Sequence, residues 1–276
     1  MVLLVPEEIN NQKSFPSENV TLFYFSQRGD SKQLSSYFQK DCLIFVQEGK
    51  KIISTSSQSY EICESEAFFV PMGSYGFSNI ASNGMYRSLL FFFEKHFLLQ
   101  FAKEYCVNQD QSEHLGFCHF GANQSLKHLM QSLLLNQERL NDASFLDLKA
   151  KELLFTLMHS NKKGFLKILS QIFNRKSSLS EQLNSQPFLQ VKDMAKEVRL
   201  DGAMFSRKFK EETGITPKEW LDKKRFSKAK MMLEYENKNI AEIAYELDFS
   251  SPSWFIKRFK DYYGMTPKQF QKQSKN

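Results

Sequence analysis

The sequence predicts an α+β protein of two domains, in which a β barrel with a helical hairpin precedes an all-α domain. The second domain is predicted to contain two helix-turn-helix units joined by a linker helix. Three observations predict this fold: short aromatic and β-branched runs before residue 94, a 50-residue repeat near the C-terminus, and a basic excess in that repeat. A chain of 276 residues is long enough for two such domains.

The repeat lies in the last third of the chain. Residues 205–220 match residues 255–270 at an offset of 50, and seven of the sixteen positions are identical. Upstream, residues 194–198 match residues 243–247 at an offset of 49, so the second copy gains one residue in between. Two copies of one supersecondary unit are therefore predicted.

Each copy has the pattern of helix, tight turn and helix. In the first copy Asp201 is a predicted N-cap, and Phe205 and Phe209 give the second helix an apolar face. Gly214 suits the left-handed position that ends this helix, and Thr216–Glu219 is a capping box with proline at N1. The pattern is typical of a helix-turn-helix unit. The corresponding residues of the second copy are Ser250 or Ser251, Pro252, Phe255, Phe259, Gly264, Thr266 and Pro267.

We expect the two units at residues 190–213 and 240–263, with a linker helix over residues 217–234. A helix of this length spans roughly 25 Å at about 1.5 Å a residue. Major grooves on one side of B-DNA recur about every 34 Å. Since the recognition helices extend beyond the linker, one monomer is expected to reach two successive grooves.

The charge of the chain is concentrated in the same region. The sequence has 37 lysines and arginines against 31 aspartates and glutamates, a net charge of +6. From Pro187 onward there are 19 basic and 13 acidic residues, whereas the first 186 residues are neutral overall. This distribution indicates a polyanionic partner for the repeat.

With these motifs, residues 177–270 resemble the DNA-binding domain of the AraC/XylS family of bacterial transcription regulators. The resemblance rests on the Ala195–Asp201 spacing, the linker segment 225–233, and the second-unit segments 240–255 and 259–267. It implies a sequence-specific DNA-binding transcription regulator, an activator, with double-stranded DNA and RNA polymerase as partners. No enzymatic activity is expected.

Both turns depart from the family pattern. Asp248 stands where the family usually has glycine, and aspartate tolerates a left-handed backbone better than most residues. In the first unit Arg199 and Leu200 form the turn, and the cap is Asp201 rather than serine. A carboxylate at the start of a DNA-facing helix would repel phosphate.

The resemblance also implies which residues contact DNA, and Arg207 is the candidate for bidentate readout of guanine. The alternative for each basic residue is a solvated surface charge, and for Trp254 it is partial burial against a neighbouring helix. The base-reading candidates are Gly202, Ala203, Ser206, Arg207, Ser253, Trp254, Ile256 and Lys257. The phosphate-contact candidates are Lys208, Lys210, Arg258 and Lys260.

Before residue 94 the pattern is one of short strands. Gln47–Lys50 predicts a hairpin turn between the second and third of them. Family members often carry a cupin-like barrel here, so the resemblance implies a cupin-like barrel over residues 20–93. The first histidine is His96, after these strands, and no cupin metal site is predicted. The predicted strands include residues 21–25, 41–46, 51–54 and 67–70.

From residue 94 to residue 174 the apolar spacing is helical. In the family such a helical hairpin often forms a dimer surface, and the alternative is that its apolar stripes only pack on the barrel. We therefore predict a sensor or dimerisation domain over residues 1–174 and a DNA-binding domain over residues 177–276. The expected partner of the first domain is a small-molecule effector or a regulatory protein. The helices are predicted over residues 94–105, 124–140, 145–159 and 164–173.

Other classes of protein lack support in the sequence. The apolar N-terminus breaks after four residues, and polar residues at 94–96 interrupt the stretch 89–101, so neither a signal peptide nor a membrane span is predicted. Four cysteines without a Cys-x-x-Cys pair indicate reduced thiols and a cytoplasmic location.

No catalytic residue, metal site or cofactor is predicted. Cys106, His114, Cys118 and His119 fall close together, but their spacing matches no standard zinc site. The alternative function is a barrel-domain enzyme or a DNA-repair regulator with an attached DNA-targeting domain. Such a repair protein needs an activated cysteine, for which Cys118 is the candidate.

Overall fold

A computed structural model of the chain describes residues 2–9, 12–55, 58–105, 117–184, 190–235 and 238–274. The chain divides into two compact units, residues 1–177 and 178–276. The first unit is β-rich with packed helices and the second is all-α, so the predicted two-domain α+β fold is confirmed.

Two β sheets form the core of the first unit. One sheet has the strand order β1-β4-β9-β6-β7 and the other β11-β8-β5-β10-β3-β2. Strands β1 and β4 pair in parallel, and the other pairs are antiparallel. The strands are β1 (Val2–Val5), β2 (Lys13–Pro16), β3 (Val20–Arg28), β4 (Leu34–Phe38), β5 (Asp41–Glu48), β6 (Lys50–Ser54), β7 (Ser59–Ile62), β8 (Ala67–Val70), β9 (Gly73–Ile80), β10 (Met85–Phe93) and β11 (Cys118–Phe120).

The prediction of a hairpin between β5 and β6 is wrong. Strand β5 pairs with β8 and β10, whereas β6 pairs with β7 and β9 in the other sheet. Gly49 joins them with a φ of +86°, and a Cβ at this position would lie 2.4 Å from the Ile80 carbonyl oxygen. Only glycine fits this corner, at which the chain passes from one sheet to the other.

The alternation of side chains along β10 separates two apolar layers. Leu89, Phe91 and Phe93 pack in a core shared with the helices, while Leu90 and Phe92 pack between the sheets. Both sets are buried, so the strand has no solvent-facing side over this stretch.

The helices of the first unit cover the outer face of the β10 sheet. The apolar stripes of α2 and α3, such as Leu126, Leu133 and Leu153, share a buried core with Leu89 and Phe91. The apolar stripes of α2 and α3 therefore pack on this β sheet. The predicted helix over residues 124–140 is interrupted at Asn136. The helices are α1 (Lys95–Glu104), α2 (Gln124–Leu135), a 3₁₀ helix (Gln137–Asn141), α3 (Ala143–Ser160) and α4 (Lys162–Asn174).

The second unit consists of helices only in its described part. Phe255 and Phe259 of the second helix pair belong to one buried apolar core, and Phe205 and Phe209 of the first pair are buried as well. The helices are α5 (Leu179–Asn184), α6 (Val191–Glu197), α7 (Gly202–Thr213), α8 (Pro217–Tyr235), α9 (Ile240–Glu246), α10 (Pro252–Tyr263) and α11 (Pro267–Ser274). No described helix combines the length and the apolar character needed to cross a membrane.

The Lys51 side chain on β6 is buried between the sheets and is 8 % exposed. Its Nζ donates a hydrogen bond to Asn79 Oδ1 at 2.8 Å and lies 4.8 Å from the Phe77 ring centroid and 5.4 Å from that of Tyr86. Burial lowers the pKa of Lys51 from 10.5 to about 8. Taking the ammonium out of water therefore costs more than these contacts return.

This burial predicts a pH-dependent stability. Between the folded and unfolded pKa values of Lys51 the unfolded chain binds more protons, so the Lys51 contribution to stability rises with pH above about 8. We expect Lys51→Met to raise the free energy of unfolding at pH 7 by about 1–3 kcal/mol, because it removes the buried charge.

The advantage of Lys51→Met over the wild type should shrink from pH 7 to pH 9, as measured by urea unfolding. Lys50→Met is the matched control, because Lys50 is exposed on the same strand. A Lys51→Met protein less stable than the wild type at pH 7 would contradict the prediction.

Candidate nucleic-acid interface

The two sequence repeats fold into equivalent helix pairs. Helices α6 and α9 are seven residues long, and α7 and α10 are twelve residues long. The additional residue of the second copy lies in the turn between α9 and α10. The insertion therefore leaves the lengths of both helices unchanged.

Equivalent residues form the two turns. Arg199 has a φ of 55° and Asp248 a φ of 59°, both left-handed. The next residue closes each turn: the Leu200 N–H donates to the Ala195 carbonyl and the Phe249 N–H to the Ala244 carbonyl, both at 2.9 Å. This bond five residues back is the Schellman arrangement. The expected tolerance of Asp248 for a left-handed turn is confirmed.

The recognition helices α7 and α10 begin at the predicted caps. Asp201 Oδ1 accepts the N–H groups of Ala203 and Met204 at 3.1 and 2.9 Å, and Ser251 Oγ accepts the Trp254 N–H at 3.2 Å. The Asp201 carboxylate thus faces the positive end of α7, which offsets part of its repulsion of phosphate.

Two phenylalanines on each recognition helix fix which face points inward. Phe205, Phe209, Phe255 and Phe259 are fully buried. The Phe209 ring lies 5.5 Å from the Trp220 ring, and the equivalent Phe259 ring lies 5.9 Å from the ring of residue 270, also a phenylalanine. The opposite face of each helix is therefore presented outward.

The base-reading candidates of the first unit lie near the start of α7. Gly202, Ala203 and Arg207 are exposed, and a Cβ at Gly202 would meet open space. Ser206 is half-buried, and its hydroxyl donates to the Gly202 carbonyl at 2.8 Å. Close approach by DNA is therefore sterically open at the first turn of this helix.

On α10 the candidates have the same placement. Ser253 and Lys257 are exposed, Ile256 is half-buried, and Trp254 is 47 % exposed. Lys257 Nζ lies 5.8 Å from the Trp254 ring centroid. The indole is thus partly covered by a neighbouring cation and still presents about half of its surface.

The phosphate-contact candidates differ between the two units. Lys208, Lys210 and Lys260 are exposed. Arg258 is half-buried, and its guanidinium donates to Asp222 Oδ2 of α8 at 2.8 Å. Their assignment to phosphate remains a prediction.

Sequence reasoning missed Met204, which is 38 % exposed on the outer side of α7. It is the equivalent of Trp254 at the 50-residue offset. The signal that could have found it is the repeat itself, because a large apolar residue occupies the same outward position in both copies.

The β-rich unit, residues 1–177, offers no activated thiol at Cys118. This residue is 4 % exposed, and burial raises the pKa of its thiol to about 12. The repair alternative needs a lowered pKa, so this finding goes against it. Cys106 and His114 lie outside the described residues. Among the described ones, no group of three or more His, Cys, Asp or Glu side chains is placed to hold a metal ion.

Two equivalent recognition helices in a basic unit, joined to a β-rich unit, define a DNA-binding transcription regulator. Residues 41–186, more than half of the chain, match the profile of the ExsA N-terminal regulatory domain, and residues 194–273 match that of a helix-turn-helix domain. The chain belongs to the AraC/XylS family of bacterial transcription regulators.

One relative is similar over most of the chain, and two solved structures share its fold. The virulence regulon transcriptional activator VirF of Yersinia enterocolitica is 27 % identical over 239 residues, which are 83 % of this chain and 88 % of that protein. The fold matches ToxT from Vibrio cholerae bound to an unsaturated fatty acid, with a TM-score of 0.56, 14 % identity, and coverage of 92 % and 95 % of the two chains. ToxT bound to (E)-4-(8-methylnaphthalen-1-yl)but-3-enoic acid gives a TM-score of 0.57, 16 % identity, and coverage of 94 % and 98 %.

The interface predicts different effects for two kinds of substitution. Arg207→Ala should weaken operator binding by about 1–3 kcal/mol and relax the sequence preference at one or two base positions. Lys210→Ala should weaken binding to all duplexes alike and lower the salt dependence by about one unit.

Binding of both variants to an operator and to single-base operator variants, measured by fluorescence anisotropy, separates these effects. Lys257→Ala tests the second helix in the same way, and unchanged operator affinity would remove Lys257 from the interface. Uniform weakening by Arg207→Ala would reassign that residue to phosphate.

Proposed function

We propose that this protein activates transcription from promoters that carry its operator, and that it acts without catalysis, in the cytoplasm. Residues 177–276 read DNA, and residues 1–174 sense a signal and govern self-association. RNA polymerase is the proposed second partner. The observation that carries the proposal is the pair of equivalent, outward-facing recognition helices α7 and α10.

The length of α8 supports binding by both units of one chain. Its nineteen residues span about 28 Å at about 1.5 Å a residue. Successive major grooves on one side of the duplex are about 34 Å apart. A helix of this length therefore suits two units in neighbouring grooves. The name of VirF, a transcriptional activator, supports activation rather than repression.

An exposed apolar residue on each of two helices supports self-association through the helical hairpin. Leu135 at the end of α2 is 86 % exposed and Leu148 on α3 is 63 % exposed. The inner stripes of both helices already pack on the sheet, so these outer leucines are the ones available to a second copy. We propose a homodimer that uses them.

We also propose that the first unit binds an effector with an apolar body and a carboxylic acid. Both ToxT ligands combine these two features. Between the sheets of this chain, Lys51 supplies a buried cation among aromatic side chains. Tyr86 Oη and Ser88 Oγ are buried hydroxyls on β10, and a hydroxyl can donate a hydrogen bond to a carboxylate.

Selection from a random duplex library with the full chain, followed by footprinting, tests operator binding. We expect protection of two major-groove segments about one helical turn apart. In vitro transcription on a template that carries the selected site upstream of a promoter should then give several-fold more transcript. Activation that persists in the Arg207→Ala, Lys257→Ala double variant would contradict the proposal.

Thermal unfolding with a saturating unsaturated fatty acid tests the effector. Binding at about 100 times Kd should stabilise the protein by about 2.7 kcal/mol, which is a shift of several degrees. Lys51→Met should lose most of this shift, whereas Lys50→Met should keep it. An equal shift in wild type and Lys51→Met would exclude Lys51 as the carboxylate partner.

A further inference from the structure

Two charged residues of the linker helix α8 contact the second helix-turn-helix unit. Arg225 donates a hydrogen bond to Asp248 Oδ2 in the turn at 3.1 Å. Asp222, three residues earlier, accepts one from Arg258 of the recognition helix α10 at 2.8 Å. The side chain of each linker residue thus pairs with an opposite charge on a different part of the unit.

The Arg225 side chain is largely buried, whereas the Asp248 carboxylate that it contacts is exposed. The Arg225 side chain is 13 % exposed, and its guanidinium carbon lies 5.7 Å from the centroid of the Phe249 ring. Burial lowers the pKa of Arg225, and its Nε has no hydrogen-bond partner among the described residues. A buried guanidinium is costly without a partner, and the nearby carboxylates of Asp248 and Asp222 offset part of the cost of burying Arg225.

Asp248 itself is unusual at this position. Its φ of 59° favours glycine, and its side chain is 61 % exposed. The equivalent residue of the first helix-turn-helix unit is Arg199, so only the second unit has an acidic residue at this position of the turn. The pairing with Arg225 neutralises a carboxylate near a surface that is to meet phosphate.

The Asp222 contact changes the role expected for Arg258. The guanidinium is bonded to Asp222 and its carbon lies 5.9 Å from the Trp254 ring centroid. Its equivalent in the first unit, Lys208, is exposed. The arginine therefore links α10 to α8 and lies against a base-reading candidate.

We infer that Asp222 and Arg225 are positioning residues that hold α10 for DNA reading, with Arg258 part of this contact rather than a phosphate ligand. Asp222 orients the helix through Arg258, and Arg225 holds the turn that precedes it. The inference rests on the proposed operator binding. Salt dependence and mutant coupling test it separately, because a protein that binds no operator would fail before either is measured.

The test compares the full-length wild type with Asp222→Asn, Arg258→Gln and the double variant. Affinity for the selected operator and for an unrelated duplex is measured by anisotropy over a range of salt concentrations. Asp222→Asn should weaken operator binding about tenfold, Arg258→Gln by a similar factor, and the double variant no more than either. The salt slope should stay that of the wild type, and affinity for the unrelated duplex should not fall with Asp222→Asn.

If Arg258 contacts phosphate instead, the expected changes in duplex affinity and salt slope are different. Asp222→Asn would then free the guanidinium and tighten binding to both duplexes, and Arg258→Gln would lower the salt slope by about one unit. Either result would overturn the inference. Lys260→Gln shows the slope change of a phosphate contact if Lys260 is one, and Asp193→Asn removes an exposed ion pair within α6 as a neutral control.

The same set of variants includes a control for loss of folding. Asp222→Glu keeps the carboxylate and should retain most of the operator affinity, and each variant is compared by its melting temperature. For the turn, Asp248→Gly should lower operator affinity although glycine suits the backbone, because Arg225 loses its partner. An Asp248→Gly protein that binds operator as tightly as the wild type would exclude the Arg225 part of the inference.

Discussion

Both helix-turn-helix units depend on packing against one helix, α8. Helices of seven and twelve residues are too short to be stable alone, so their positions are set by what they pack on. Near its start α8 places the Trp220 ring 5.5 Å from Phe209 of the first unit. Further along, the Phe226 ring lies 5.8 Å from Phe249 and 6.3 Å from Phe259 of the second. One helix thus supplies a part of both cores, and any tilt of α8 would move both recognition helices.

In the β-rich unit, residues 1–177, the comparable constraint is burial on both faces of β10. Leu89 and Phe91 face the helices while Leu90 and Phe92 face the other sheet, and the strand pairs with β3 and β5 along its length. A slip of one residue would exchange the two layers. Packing on both sides therefore fixes the register, and it explains the apolar stripes on the faces of α2 and α3 that meet this sheet.

The helix boundaries of the all-α unit, residues 178–276, could be predicted from capping and turn residues that are close in sequence. The strand pairing of the β-rich unit, residues 1–177, could not be predicted in this way. The caps at Asp201 and Ser251 and the left-handed Gly214 and Gly264 each depend on neighbouring residues, so sequence reveals them. Sheet pairing depends on distant segments: Gly49 looks like a hairpin glycine, yet it turns the chain into another sheet. The ion pairs of α8 were missed for the same reason, since Asp222 and Arg258 are 36 positions apart.

The two units share a backbone but differ where DNA would meet them. Met204 of the first copy is equivalent to Trp254 of the second, Arg199 to Asp248, and Lys208 to Arg258. The buried phenylalanines are the same in both copies. A base pair is read by outward side chains and not by the frame that carries them. Two helix-turn-helix units with the same backbone and different exposed residues should therefore prefer different DNA sequences. One chain would then read an operator whose two halves differ. A palindrome would arise only from the two-fold symmetry of a dimer.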